Sequence, residues 1–334
     1  METKYIYGII ETSEETIITV SGIDKYEEVY AVPYKDISAA VSDSPFIDYT
    51  ALPRDRVARY FLNHQRVIEK IMDFYTIIPM RLGTYSLSIG DVEEILSKGY
   101  TLFKDVFKKI NNRIEIDVAA TWNDLDPIIK EIGEYEDIKM FKENLMSQPE
   151  GVSVEDRIKI GSLIKNAMEK KREEISSDIA IEFKKASVDL RPHDLMDDRM
   201  ILNAAFLVDK GKRVEFENCL DRLNTLYNEK INFRCVGPLP PYSFYTAEIK
   251  KTDPEEITWA KEKLGIEKIA AKEDVVKAYR GKASLYHPDK NTDSANAERQ
   301  FNEINKAYRI LAECCHGNGS LVDEEAHIVV KIRD

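Results

Sequence analysis

The stretch "GPLPPYSFYT", residues 237 to 246, limits more than any other what this chain can become. Pro238, Pro240 and Pro241 remove three backbone donors within four positions, so no interior strand or helix runs through them. Any sheet upstream must release the chain here as a stiff arm, which carries Tyr242, Phe244 and Tyr245 to one place. Such an arm has two uses. It is either a rigid edge tucked onto its own core or a docking surface for another protein built from Pro238, Pro240, Pro241, Tyr242 and Phe244.

Upstream of the arm, short strands and helices alternate. "KYIYGII" is aromatic and β-branched around Gly8 and predicts a strand. "EVYAVPYKDISAAVSDS" predicts two extended runs broken by Pro33. After Pro53 the period changes: Val57, Tyr60, Phe61, His64, Val67, Ile68, Ile71 and Met72 recur every three or four residues, as on the apolar face of a helix. "YTIIPMRLGTY" reads as a buried strand ending at a Gly turn, and Asp91 as the N-cap of the next helix. "RIEIDVAATW" then alternates, with Ile114, Ile116, Val118, Ala120 and Trp122 on one side. Residues 1–124 therefore predict an N-terminal α/β domain.

Residues 125 to 188 are helical and dense in charge, interrupted by a loop near "SQPEGVS". "MILNAAFLV" reads as a central strand and "VEFENCLDRLNTLYNEK" as a helix with Phe216, Leu220, Leu223 and Tyr227 inward. "INFRCVG" is a further strand. Packed with the long helix before them, these predict a second domain over 125–250, α+β and ferredoxin-like. Downstream of "KKTDPEE" the pattern is all-helical: three amphipathic segments over 255–316, with "HPDKN" between the second and third. The tail, 317–334, ends in "AHIVVKIRD", which alternates like a strand. It either returns to an earlier sheet, making the helical module an insertion, or lies beyond it.

A chain of 334 residues needs more than one core, and its 43% apolar and 32% charged content is that of a globular protein. The net charge of -12 argues against a general nucleic-acid binder. No apolar run approaches the roughly 18 residues of a membrane span, and the first residues lack the pattern of a signal peptide. The expectation is a cytoplasmic protein without membrane partners. Among its four cysteines no pair has C-x-x-C spacing and no histidine stands at a zinc-ligand spacing, so no metal is expected. Cys219 and Cys235 read as small buried hydrophobes, and the vicinal Cys314-Cys315 as a redox candidate. No acid/base pair or phosphate loop stands out, so no catalytic residue, cofactor or enzyme activity is expected. His64 reads as a structural histidine and Arg81 as the ion-pair partner of a carboxylate.

Two resemblances follow from these phrases. "ILNAAFLV" leading through a helix to "GPLPPYSF", residues 201–244, resembles the signature of the gas vesicle GvpL/GvpF proteins. "YIYGII", His64 and "IIPMRLGTY" resemble the family's N-terminal phrases, with Leu82 where Phe is more frequent; together they span about residues 4–246. The resemblance implies a minor component or assembly factor of the gas-filled shell that gives aquatic microbes buoyancy, with no known catalytic activity. Its partners would be the small shell protein and other accessory vesicle proteins.

"KLGI", "KAYRGKASLYHPDKN" and "FNEINKAYRIL", within about 255–313, resemble the J-domain of the DnaJ family. That resemblance implies docking of His287, Pro288 and Asp289, with Lys277, Arg280 and Lys282, on a DnaK-type chaperone ATPase whose hydrolysis the module accelerates. Two departures stand out: Gly281 inside the second helix, and Lys282 where an aliphatic residue is usual. Joined, the two resemblances imply a vesicle accessory protein with its own chaperone-recruiting module. The alternatives are a general co-chaperone whose α/β region binds other clients, and a structural shell component whose J-domain has lost its chaperone.

Overall fold

β1 (Glu2–Ile10) organises the first unit of the computed structural model, which describes residues 2–21, 28–147, 153–251, 254–266, 272–286, 295–314 and 328–333. On one side β1 pairs antiparallel with β4 (Ile37–Pro45), and on the other with β5 (Ile77–Pro79) and β6 (Tyr85–Ser86). β3 (Glu28–Tyr34) and β2 (Ile17–Ser21) complete the order β2-β3-β4-β1-β5. Residues of β1 and β4 are buried along nearly their whole length, so both faces of the central sheet are covered. Gly8 permits the close approach of β5. A Cβ there would lie 2.6 Å from the Ile77 side chain and 2.8 Å from the Ile78 carbonyl oxygen.

Pro33 does not break the chain as expected. It stays within β3 opposite Ser38, beyond Tyr30, where pairing with β2 stops, and a strand with one neighbour tolerates a missing donor. The reversal comes instead at Lys35, in the left-handed region at φ 55°. α1 (Arg54–Met72) buries His64, Val67, Ile68 and Ile71 but leaves Phe61 exposed. α2 (Ile89–Ile110) is capped by Ser88 rather than Asp91. The Ser88 Oγ accepts the Asp91 N–H at 3.1 Å, while the Asp91 carboxylate accepts the Ser88 hydroxyl and the Leu87 N–H.

The second unit, Lys109–Tyr245, is a four-stranded antiparallel sheet in the order β10-β7-β9-β8. Its strands are β7 (Arg113–Trp122), β8 (Asp189–Pro192), β9 (Met200–Asp209) and β10 (Ile231–Leu239). α3 (Asp126–Gly133), α4 (Glu136–Met146) and α5 (Val154–Lys184) lie between β7 and β8, and α6 (Arg213–Tyr227) between β9 and β10. This is a ferredoxin-like order with three helices in place of its first. The expected boundary at residue 124 is thereby corrected, because β7 is a central strand of this second sheet. Ile114, Ile116, Val118 and Trp122 find their partners in Ala204, Phe206 and Val208 of β9, closed over by Ile179 and Phe183 of α5 and Phe216 of α6. The rings of Phe183, Phe206 and Phe216 meet at centroid distances of 4.6 to 5.5 Å. Cys219 is buried as expected, but Cys235 is exposed on β10, an edge strand with too little cover for it.

α7 (Pro254–Leu264), α8 (Lys272–Tyr286) and α9 (Ala295–Cys314) form the helical module. Ile257, Ala260, Leu264, Val275, Ile304, Ala307 and Leu311 are its core. β11 (Thr246–Lys251) and β12 (Ile328–Arg333) flank it and pair antiparallel from Thr246↔Arg333 to Lys251↔Ile328. The final strand therefore closes a hairpin, and the module is inserted within it. Among the described residues no helix is long and apolar enough to cross a membrane.

Replacing Gly8 by Ala should destabilise the protein by about 1–3 kcal/mol, because the Ile78 carbonyl cannot rotate away. Urea denaturation measures this; an unchanged midpoint would contradict the account.

Candidate functional site

The helical module presents Lys277 and Arg280, one turn apart, on the exposed side of α8. Lys282 is half-buried, its aliphatic stem lying close to Gly265. A lysine is tolerated at this usually apolar position because its stem packs while its head stays wet. On the opposite side Tyr279 stacks on Tyr308 at 4.3 Å and donates its hydroxyl to Asn305 Oδ1 at 2.9 Å, joining α8 to α9. Lys263 and Glu303 pair at 2.6 Å between α7 and α9. His287, Pro288 and Asp289 lie outside the described residues. Gly281 is helical, and a Cβ there would meet nothing within 4 Å.

The proline arm is held down by its own sheet. Phe244 is fully buried against Ala205 and Leu207 of β9, and Pro240 and Pro241 are buried beside it. Three of the five expected docking residues are thus taken up by the fold; Pro238 is exposed and Tyr242 half-buried. The lock is Glu115. Its carboxylate, 1% exposed, accepts both the N–H and the hydroxyl of Ser243, each at 2.8 Å. His193 Nε2 lies 3.3 Å from the same hydroxyl, and the Arg191 guanidinium 5.8 Å from the Phe244 ring. Burial pushes Glu115 up to about 8, against the pull of the two Ser243 hydrogen bonds, and the neighbouring Asp117 carboxylate adds to the rise. Asp117 is itself raised by burial.

Nothing local in the sequence marks Glu115. The alternation of "RIEIDVAATW" places it on the face opposite the isoleucines, where solvent was the natural expectation. The Ser243 contact that closes over it spans 128 residues.

His64 is satisfied at both ring nitrogens. Met80 O accepts from Nε2 at 2.9 Å and the Tyr5 hydroxyl donates to Nδ1 at 2.8 Å, a pattern that fits the neutral imidazole. Burial lowers its pKa to about 4. Arg81 pairs with Glu248 at 2.6 Å, as its solitary charge suggested, and its N–H donates to Ala247 O. This pair rims a cleft of about 520 Å³ whose apolar lining includes Phe46, Tyr49, Leu82, Tyr85 and Ile249. These residues come from stretches as far apart as 46 and 249, so no local pattern joins them.

Comparison with known proteins places both regions. Residues 3–246 match the family "Gas vesicle synthesis protein GvpL/GvpF", and residues 262–314 match the DnaJ domain. Gas vesicle protein F1 of Halobacterium salinarum is 26% identical over 251 residues, covering 74% of this chain and 95% of that protein. Gas vesicle protein F of Nostoc sp. is 24% identical over 243 residues, covering 72% and 96%. The helical module is 50% identical over 52 residues to the chaperone protein DnaJ of Paramagnetospirillum magneticum, a match covering 16% of this chain and 14% of that one. The crystal structure of gas vesicle protein GvpF from Anabaena sp. PCC7120 superposes with a TM-score of 0.64. It is 23% identical, with 73% of this chain and 98% of that one covered, and shares the fold.

Two substitutions test these sites. Gly281→Ala should stabilise the helical module by about 0.5–1 kcal/mol in thermal unfolding, since the helix gains propensity without a clash; destabilisation would show that the position needs glycine. The folded pKa of Glu115 stands above its ordinary value of 4.5, so its contribution to stability is fullest below that pH and is lost as pH rises through about 8. Glu115→Gln keeps an acceptor for Ser243 without the charge. It should flatten the fall in melting temperature between about pH 5 and 8.5, and a slope equal to that of the parent would remove Glu115 as its source.

Proposed function

This chain belongs to the GvpL/GvpF family of gas vesicle synthesis proteins, and we propose that it is a vesicle assembly factor that brings a DnaK-type chaperone to the forming shell. One observation carries this reading: a J-domain is built into the same polypeptide as a GvpF-like body, within a hairpin of its own. Shell subunits that pack into a gas-filled wall expose apolar surface before they assemble, and such surface aggregates unless it is held. A protein that meets the shell subunit and also recruits a chaperone answers both needs. Its place is then the cytoplasm and the gas vesicle, and its partners are the shell protein, other vesicle accessory proteins and the chaperone ATPase.

The chemistry of α8 supports the chaperone half. Lys277 and Arg280 offer positive charge on one exposed side, suited to an acidic groove, and such complementarity steers association more than it adds affinity. Lys282 adds its charge at the margin. His287, Pro288 and Asp289 follow α8 directly in the sequence and are the further docking residues of this reading.

With purified components, the chain should stimulate ATP hydrolysis by the chaperone, and His287→Gln should lower that stimulation roughly tenfold or more, equivalent to about 1.4 kcal/mol. A pull-down should retain the shell protein with either variant. Loss of stimulation without any shell binding by the parent chain would favour a general co-chaperone instead. Shell binding without stimulation by the parent would leave a structural vesicle component.

A further inference from the structure

β12 belongs to neither of the folds that the chain combines. The GvpL/GvpF match ends at residue 246 and the DnaJ match at residue 314, whereas β12 runs from Ile328 to Arg333. Among the described residues, the buried core of the J-domain comes from α7, α8 and α9. β12 pairs with β11 over six residue pairs, and Val330 is buried there.

β11 is the better anchored of the two strands. Ala247 is fully buried and bridges to Met80, its carbonyl accepts the Arg81 N–H at 3.0 Å, and Glu248 pairs with the Arg81 guanidinium. Only residues 252–253 separate β11 from α7, a link that reaches at most about 11 Å. Residues 315–327 lead from α9 to β12. Lys251 and Ile328, where the chain leaves and re-enters the hairpin, are direct cross-strand partners, about 5 Å apart.

We infer that β12 is a clasp: by pairing with β11 it holds the J-domain to the anchored strand at two points and confines the reach of the module. Without β12, the exposed edge of β11 would lie open and the helices would swing from one short link. With it, a chaperone drawn to α8 is held close to the N-terminal unit, at an effective concentration in the millimolar range. That consequence rests on the chaperone-recruiting reading; the clasp itself does not.

The test uses the full chain without its native cysteines, spin-labelled at Leu62→Cys on α1 and Glu273→Cys on α8. It is compared with the same protein stopped after residue 327 and with full-length Val330→Asp. Electron–electron distance measurements should give a narrow distribution for the parent and one roughly twofold wider for both variants, because attachment at one point restrains the module less than attachment at two. Circular dichroism should show the J-domain helices retained, and stimulation of the chaperone in trans should stay within about twofold of the parent. Equal widths in all three proteins would overturn the clasp. Loss of the helices on truncation would overturn it too, by making β12 part of the J-domain fold. If the parent fails to stimulate the chaperone, the recruiting reading falls, while the distances still decide the clasp.

Discussion

The carboxyl group of Glu115 holds both donors of Ser243 beneath the sheet surface, and the course of the proline arm over the second unit depends on that lock. The arm it secures ends at Tyr245, and β11 begins at the next residue. A buried carboxylate is costly unless its acceptor capacity is filled. Here the two Ser243 hydrogen bonds offset only part of that cost, which is why Glu115 stays raised, while Phe244 completes the small apolar cluster on Ala205 and Leu207. The prolines make the arm stiff, but one acid and one serine decide where it lies. Beyond the arm the chain enters the hairpin of β11 and β12, and the hairpin carries the J-domain.

Much of this architecture was legible in the residues. Periodicity placed the helices and most strands, and the composition of "GPLPPYSF" marked the arm. Locally readable features rest on local physics: alternation for β7, three-and-four spacing for α1, turn chemistry at Gly83. What escaped was non-local. β7 was read with the strands before it because sequence order is the only neighbour relation a single chain shows. Its partner β9 lies some 90 residues on, across three helices. Glu115 escaped for the same reason, as did the cleft between the Tyr49 and Tyr85 rings and β11. Pro33 misled because its effect depends on whether a strand has one neighbour or two, which only the sheet order decides.

The docking residues divide along the same line. A run of prolines and aromatics suggests a binding surface, yet an aromatic that the fold needs for itself is equally well placed in such a run. Phe244 is of the second kind, and Pro238 remains at the surface. The basic residues Lys277 and Arg280 of α8 are left exposed, because the helix packs through another face, with Val275 and Tyr279. Separating the two roles required knowing which face was already covered.

The central claim is that the J-domain serves vesicle assembly from within this polypeptide. Because Lys251 and Ile328 are cross-strand partners, residues 252–327 can be replaced by a two-residue Asn-Gly turn that leaves β11 and β12 paired. Electron microscopy of a deletion strain complemented with that chain tests the claim most directly. Few or malformed vesicles, against normal ones with the full chain, is the predicted result; vesicles normal in number and shape would contradict it.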